Sequence, residues 1–155
     1  MKKNRAATPE IIDNLRRVFQ VITEYSKTAE KTSGITGPQL WALKILAKTS
    51  PLRVSELAHQ MYLRPATVVG ILDRLEGKGL VTRTRSKEDR RAIDLNLTEK
   101  GKDVVAKAPE VAQVMLIRGL EELTDEQFTK VSEGMDLLVR ILGADAITPQ
   151  PLHSA

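Results

Sequence analysis

Residues 54–97 read VSELAHQMYLRPATVVGILDRLEGKGLVTRTRSKEDRRAIDLNL, and this stretch decides the fold. Its first half holds two short helical patterns with a tight connection between them, and Pro65 stands near the start of the second. Its second half holds two strand-like segments, residues 79–85 and 92–97, around a charged turn. Two short helices joined by a tight turn form a helix-turn-helix unit, and a hairpin directly after the second helix is the wing of a winged helix. The stretch therefore predicts a winged helix-turn-helix.

Helical patterns flank this stretch on both sides. From residue 9 to about residue 31, apolar residues recur every three or four positions, which is typical of an amphipathic helix. After the hairpin, Thr98 is placed to cap a helix that Pro109 should kink, and Thr124 with Gln127 has capping-box spacing for the last helix. The terminal helices carry more apolar surface than a small winged helix can bury, which indicates a partner. The predicted fold class is mainly α with a small β-hairpin wing: a winged helix-turn-helix plus a helical dimerisation region.

The composition limits the classes of protein to which the chain can belong. Its 155 residues suffice for one domain with a sizeable core. It has no cysteine and two histidines, which excludes disulfides and thiolate metal sites and leaves few candidates for a catalytic base. We therefore expect no enzymatic activity, no cofactor and no metal. The chain shows no targeting segment and no apolar run of membrane-spanning length, which predicts a cytoplasmic protein without a membrane partner.

Positive charge is concentrated in the middle of the chain. The net charge is +4, but residues 64–91 alone carry eight basic and four acidic side chains, whereas residues 92–155 carry six basic and eleven acidic ones. Clustered arginines and a sequence pI of about 9.4 are typical of proteins that bind polyanions. The basic block coincides with the second short helix and the hairpin, which favours nucleic acid as the partner.

The second short helix has the properties of a DNA-reading helix. Residues spaced for a core leave an opposite face of small side chains and one arginine, and small side chains let a helix enter the major groove, which is about 12 Å wide. Glycine inside a helix costs about 1 kcal/mol relative to alanine, which is easier to understand if a backbone or DNA must approach closely. The helix N-terminus favours phosphate and base contacts. The predicted DNA-binding residues of this helix are Arg64, Ala66, Thr67, Gly70 and Arg74.

The hairpin turn, RTRSKEDRRA at residues 83–92, carries seven charges, of which five are basic. A wing that lies along DNA can place an arginine in the minor groove, where A·T-rich segments concentrate negative potential. Asp89 does not bind phosphate, but a carboxylate can fix an arginine side chain and hold a loop in shape. The alternative is a solvated turn whose ion pairs contribute roughly 0–1 kcal/mol to stability.

The segment DRLEGKGLVTRTRSKEDRRAIDLNLTEKG, residues 73–101, resembles the signature of the MarR (multiple-antibiotic-resistance regulator) family of winged-helix transcriptional regulators. The sequence SELA at residues 55–58 and the long flanking helices fit the same pattern, so the resemblance covers essentially the whole chain. It implies a homodimeric repressor that binds a pseudo-palindromic operator in double-stranded DNA.

The resemblance also implies how one MarR-like domain, residues 1–155, is organised. The winged helix-turn-helix DNA-binding part would span residues 36–98, and the helical dimerisation part residues 8–33 and 99–143. The remaining residues, 144–155, have the composition of a frayed tail.

The resemblance further assigns roles in the wing. The family's Asp-x-Arg wing motif matches Asp89 and Arg91, which implies that Arg91 enters the minor groove and that Asp89 orients the wing. Asp89 would do so by pairing with a nearby arginine such as Arg83. Lys87 and Arg90 would then contact phosphates.

Many members of the family are released from DNA by small aromatic or phenolic ligands that bind between the dimerisation and DNA-binding parts. Four residues with polar-edged rings are candidates to line such a site: Tyr25, Trp41, His59 and Tyr62. The alternative is that Trp41 and Tyr62 only pack in the core or at the junction.

A second class of function stays open at this point. Winged helices also serve as protein-interaction modules without specific DNA binding, because a fold does not by itself settle function. Binding of DNA from upstream of the protein's own gene separates the two predictions.

Overall fold

A computed structural model of the chain describes residues 5–152. After a 3-10 turn at Arg5–Ala7, nine elements follow in this order: α1 (Thr8–Ser33), α2 (Gly37–Lys48), α3 (Val54–Gln60), α4 (Pro65–Gly77), β1 (Val81–Arg85), β2 (Ile93–Leu97), α5 (Glu99–Lys107), α6 (Ala112–Glu121) and α7 (Asp125–Ile141). The predicted fold class is confirmed, since helices dominate and the two strands form an antiparallel hairpin.

Threonine caps begin three of the helices. The hydroxyls of Thr98 and Thr124 accept hydrogen bonds from the amides of Gly101 and Gln127, at 3.0 and 3.3 Å. The Gln127 side chain accepts a bond from the Thr124 amide in return, which completes the predicted capping box. Thr36 and Gln39 form an equivalent box at the start of α2. Each cap satisfies amides that have no partner inside the helix.

The core lies where α2, α3, α4 and the hairpin meet. The hairpin pairs Val81 with Leu97 and Arg83 with Leu95, and the side chains of Val81 and Leu95 are buried in the core. Leu52 adds a short bridge to the outer edge of β2, with two backbone hydrogen bonds to Leu95. The largest fully buried side chains are Leu40, Leu43, Leu46, Leu57, Met61, Val68, Leu72, Leu75, Val81 and Leu95. This aliphatic core fixes α4 and the hairpin relative to each other.

Pro109 ends a helix rather than kinking one. Instead of one bent helix, the chain forms α5 and α6, with residues 108–111 between them. Ala108 has extended dihedrals (φ −80°, ψ 145°), because the ring of a proline disfavours helical geometry in the residue before it. The break separates α6 from α5, so the two helices need not share one axis.

The segment after α7 returns to the helices. The carbonyl oxygen of Leu152 accepts a hydrogen bond from the Gln113 side chain of α6 at 2.6 Å, and Gln113 is 8% exposed. Of the predicted frayed tail, residues 149–152 thus lie beside α6, while residues 153–155 fall outside the described range. Burial of a polar side chain such as Gln113 requires a hydrogen-bond partner, which the tail supplies.

The first and last long helices expose apolar faces. Helix α7 has 17 residues and no buried side chain, and α1 has 26 residues of which Ser26 and Ala29 are buried. The exposed apolar side chains of these two helices include Ile11, Ile12, Leu15, Val18, Phe19, Phe128, Val131, Met135, Leu137 and Ile141. Apolar surface of this extent marks an interaction site. Among residues 5–152, no helix is both long and apolar enough to cross a membrane.

Candidate nucleic-acid interface

Helix α4 turns two different faces to the core and to solvent. Val68, Ile71, Leu72 and Leu75 are buried, as their spacing predicts. The opposite face carries the predicted contact residues, and all of them are exposed except Thr67, which is half-buried: Arg64, Ala66, Thr67, Gly70 and Arg74. Arg64 is the N-cap residue with extended dihedrals, so it stands at the positive end of the helix dipole.

Gly101 and Gly70 differ in what surrounds them. A Cβ atom on Gly101 would overlap the carbonyl oxygen of Leu80 and lie 2.8 Å from the Leu97 side chain, so the fold itself requires glycine there. A Cβ atom on Gly70 would meet nothing within 4 Å. No contact within the described chain therefore accounts for Gly70, and the surface around it is open to a partner.

The wing turn is held in shape by Ser86 and Asp89. The Ser86 hydroxyl accepts hydrogen bonds from the amides of Glu88 and Asp89, at 3.2 and 3.4 Å. The Asp89 carboxylate accepts one from the amide of Arg91, and the Asp89 carbonyl accepts one from the amide of Ala92. Side-chain oxygens that bind nearby amides stabilise turns. The turn is thus preorganised by its own short side chains.

Arg83 joins the hairpin to α4. Its guanidinium is hydrogen-bonded to Asp73, and its Nε donates to the Glu76 carboxylate at 3.2 Å. The bond to Asp73, followed by the bond to Glu76, raises the pKa of the Arg83 guanidinium above its ordinary value. The expected pair between Arg83 and Asp89 is not formed, because Arg83 lies on the strand beside α4 while Asp89 lies in the turn.

Asp73, Glu76 and Ser86 belong to the site although the sequence patterns did not single them out. The carboxylates stand three residues apart on α4, and such spacing places two side chains on the same helix face. That spacing is a usable signal, but the partner of the two carboxylates becomes visible only with the position of the strand. Ser86 lies two and three residues before the amides that it binds, which is the ordinary spacing of a serine turn.

The remaining cations of this surface have no acidic partner. None of the ion pairs within residues 5–152 includes the following five cations of this surface: Arg64, Arg74, Lys87, Arg90 and Arg91. All five are exposed. The exposed face of α4 and the wing turn thus present positive charge that is available to an external anion.

An apolar cavity of about 450 Å³ lies between α2, the α3–α4 turn, α6 and the tail. Trp41 and Tyr62, two of the residues predicted to bind a ligand, line it together with Gln113, Phe128 and Leu152. His59 lies in a separate depression, and Tyr25 is half-buried on α1 outside the cavity lining. The structure brings together two of the four aromatic candidates.

Tyr62 has an unusual backbone. Its φ of 55° is in the left-handed region, which bulky side chains rarely adopt, and its side chain is 73% exposed. The Tyr62 amide bonds to the carbonyl of His59, and the Leu63 amide bonds to that of Ala58, which closes the end of α3. Tyr62 is therefore part of the turn between the two helices of the helix-turn-helix and also part of the cavity wall.

The residues present offer no metal site, since no group of three or more His, Cys, Asp or Glu side chains within residues 5–152 is placed to hold an ion. The interface is built from cations, small side chains and backbone turns.

Comparison with known proteins gives the relationship of the chain to other proteins. The model of the MarR family matches residues 35–93. The HTH-type transcriptional repressor MdtR of Bacillus subtilis is 33% identical over 132 residues, which cover 85% of each chain. The YusO protein of Bacillus subtilis is 34% identical, with a TM-score of 0.52 over 90% of this chain and 99% of that one. CouR from Rhodococcus jostii RHA1, solved with bound p-coumaroyl-CoA, is 26% identical, with a TM-score of 0.58 over 95% and 100% of the two chains.

Proposed function

The chain belongs to the MarR family of transcriptional regulators, and from that premise we propose that it is a homodimeric repressor that binds a pseudo-palindromic site in double-stranded DNA. One observation carries the proposal. Within residues 5–152, the cations on the exposed face of α4 and at the wing have no acidic partner, whereas Arg83, which joins these two elements, is paired. Phosphate neutralisation by free cations supplies affinity, and base contacts in the groove supply specificity.

The helices outside the winged helix-turn-helix support assembly as a dimer. Most helices in proteins are stabilised by packing of an apolar face against other elements rather than by intrinsic helix propensity. Helix α7 buries no side chain within its own chain, and α1 exposes most of its apolar residues. A second copy of the chain covers both faces in this proposal. Twofold symmetry then places two copies of α4 in successive major grooves, about 34–36 Å apart.

Each element has a defined role in the proposed complex. Helix α4 enters the major groove with Gly70 and Ala66 against the DNA, while Arg64 and Arg74 flank them. Arg91 enters the minor groove beside it, where an arginine is attracted by the negative potential. Lys87 and Arg90 contact phosphates on either side of the wing turn.

The test is binding to the DNA upstream of the protein's own gene, measured at several salt concentrations. Specific binding should weaken steeply as salt rises, because phosphate contacts release counterions. Arg91→Ala should weaken binding by about tenfold and reduce any preference for A·T pairs under the wing. Lys102→Ala, which removes an exposed cation from α5, is the control and should have little effect.

The same experiment tests the competing function. A winged-helix protein-interaction module would bind operator and unrelated DNA equally weakly, and Arg91→Ala would change both alike. Equal affinity for the two DNAs at physiological salt contradicts the repressor proposal. Sedimentation of the free protein as a monomer at concentrations far above those of DNA binding contradicts the dimer.

The cavity supports a ligand-responsive form of this repressor. Its lining is mainly apolar, with Trp41 and Phe128 as aromatic walls and Gln113 as a polar group. Apolar pockets with a few polar groups are typical of small-molecule sites. We propose a small aromatic or phenolic effector, which would bind between α6 and the turn that leads into α4.

A further inference from the structure

The DNA-binding part and the dimerisation helices are connected by the chain at two joints. We name α2, α3, α4, the hairpin and α5 the winged-helix body, and α1, α6 and α7 the dimerisation helices. Helix α5, which the family resemblance places in the dimerisation part, is counted with the body because its Gly101 lies against Leu80 and Leu97. The first joint, residues 34–36, connects α1 to α2, and the second, residues 108–111, connects α5 to α6. The orientation of the body relative to the dimerisation helices depends on these joints.

A lysine of α2 holds the second joint. The Nζ atom of Lys44 donates a hydrogen bond to the carbonyl oxygen of Pro109 at 2.6 Å, and it lies 3.6 Å from the Glu110 carboxylate. The other oxygen of Glu110 lies 3.9 Å from the guanidinium of Arg118 on α6. The contacts thus run from the body, through the joint, to a dimerisation helix.

A second lysine holds the first joint. The Nζ atom of Lys78, directly after α4, donates to the carbonyl oxygen of Gly34 at 2.9 Å. Gly34 ends α1 with a φ of 74°, which favours glycine. The carbonyl of Lys78 is in turn bound by the side chain of Lys100 from α5, at 3.0 Å. At each joint, one backbone carbonyl oxygen therefore accepts a hydrogen bond from a lysine. Lys78 binds the first joint, and Lys44 binds the second.

Stability alone does not account for this arrangement. Lys44 is 21% exposed and Glu110 is 37% exposed, and ion pairs with this exposure contribute little to folding. A charged donor on a backbone carbonyl does, however, fix the direction of the chain at that point, because such bonds are short and directional. At a proline break, the chain direction decides where the next helix points.

From these contacts we infer that Lys44 and Lys78 are positioning residues: they fix the angle between the winged-helix body and the dimerisation helices, and thereby the spacing of the two recognition helices in the dimer. The inference rests on the proposed homodimer. DNA fixes the separation of two half-sites to about one helical turn, so a rotation at the joints misplaces α4 relative to the second major groove.

The first test measures the spacing without DNA. The chain has no cysteine, so Gln60→Cys on α3 introduces one nitroxide label per protomer. Pulsed electron double resonance then gives the distribution of distances between the two bodies of a dimer. Three variants are compared in this background: Lys44→Met, Lys44→Arg and, as control, Lys48→Met, which removes an exposed lysine near the end of the same helix.

The expected result is a broadened or shifted distribution for Lys44→Met, and the original distribution for Lys44→Arg and Lys48→Met. Arginine keeps a charged donor, so rescue by Lys44→Arg separates positioning from general damage. Thermal unfolding verifies that Lys44→Met remains folded, and Lys78→Met tests the other joint if it does not. An unchanged distance distribution in Lys44→Met and in Lys78→Met overturns the inference. So does a broadening in Lys48→Met that equals the broadening in Lys44→Met. Absence of any distance peak in the original protein means that no dimer forms, which is a failure of the proposed function.

The second test uses the operator. The affinity ratio between the native site and a site with its halves moved apart by one base pair should fall at least about threefold in Lys44→Met, because a looser joint tolerates the wrong spacing. Lys44→Arg should keep the ratio of the original protein. An unchanged ratio in Lys44→Met, with DNA binding intact, contradicts the inference while leaving the proposed function in place.

Discussion

The Asp89 carboxylate binds the backbone of Arg91 rather than an arginine side chain. It accepts a hydrogen bond from the Arg91 amide at an N–O distance of 3.0 Å. The acidic residue therefore acts on the direction of the backbone that carries the proposed groove arginine. A carboxylate in a basic wing opposes DNA binding by its charge, while this contact supports binding through the shape of the turn.

These two effects can be separated with a matched pair of variants. Asp89→Ala should weaken DNA binding about fivefold, since one backbone hydrogen bond is worth about 1 kcal/mol. Glu88→Ala removes the same charge from the neighbouring position and should leave binding equal or slightly tighter. Operator titration at constant salt checks both, and Asp89→Asn, which keeps an acceptor oxygen, should bind better than Asp89→Ala. Tighter binding by Asp89→Ala would show that the charge dominates.

The contact of Arg83 with Asp73 and Glu76 predicts a coupled effect on DNA binding. Arg83→Met should weaken operator binding severalfold by loosening the wing from α4. Its effect on the free energy of unfolding should stay within about 1 kcal/mol, because the carboxylates are largely exposed. In a double-mutant cycle, Asp73→Asn should weaken binding less in the Arg83→Met background than alone. Additive effects of the two substitutions would contradict the contact as the cause.

Gly70 and Gly77 form a natural pair within α4, because a Cβ atom added to either one would meet nothing within 4 Å. Gly70→Ala should raise or preserve stability, by up to about 1 kcal/mol, since alanine is the better helix former. It should nevertheless weaken operator binding by about tenfold, as the added methyl group displaces DNA. Gly77→Ala should leave binding unchanged. Operator binding by Gly70→Ala as tight as that of the original protein would contradict the proposal that Gly70 lies against the DNA.

Gly101 should show the opposite behaviour. Gly101→Ala should lower the free energy of unfolding by about 1–3 kcal/mol, because the new methyl group overlaps the Leu80 carbonyl and presses on Leu97. Chemical denaturation measures the change, with Gly77→Ala as the control that meets open space. Stability equal to that of the original protein would mean that α5 can shift without cost.

Trp41 is the single tryptophan and lines the cavity, so its fluorescence reports directly on a bound molecule. We expect 4-ethylphenol, used as a probe, to change this fluorescence saturably and to weaken operator binding. Tyr62→Gly should lower the affinity for the probe about threefold to tenfold, since an aromatic contact is worth about 0.5–1.5 kcal/mol. His59→Ala should have no effect, because His59 lies in another depression. An equal loss in His59→Ala would place the probe elsewhere.

The fold was predictable because its signals are local. Thr98 and Thr124 cap helices through residues three positions away, and the buried face of α4 follows from the helical period. Pro109 was predicted to kink one helix, whereas it separates α5 from α6. The reason is that a proline disfavours helical geometry in the residue before it, and Ala108 is extended.

The site was predictable only where exposure and charge decide it. The face of α4 and the cations of the wing could be read from spacing, whereas the partner of Arg83 depends on where a strand lies beside a helix. The same limit applies to the ligand candidates. Trp41 and Tyr62 meet in one cavity, but Gln113 and Leu152, which are far apart in the chain, complete it through a tertiary contact.

The position of Tyr62 has a consequence for how a signal would pass through the molecule. Its ring borders the cavity, while its strained backbone is part of the turn that ends two residues before α4 begins. A molecule in the cavity would thus contact the turn that leads directly into α4, and no chain of contacts through the core would be needed to reach that helix. Sensing and reading would share one residue, whose left-handed backbone is held by the turn in which it lies.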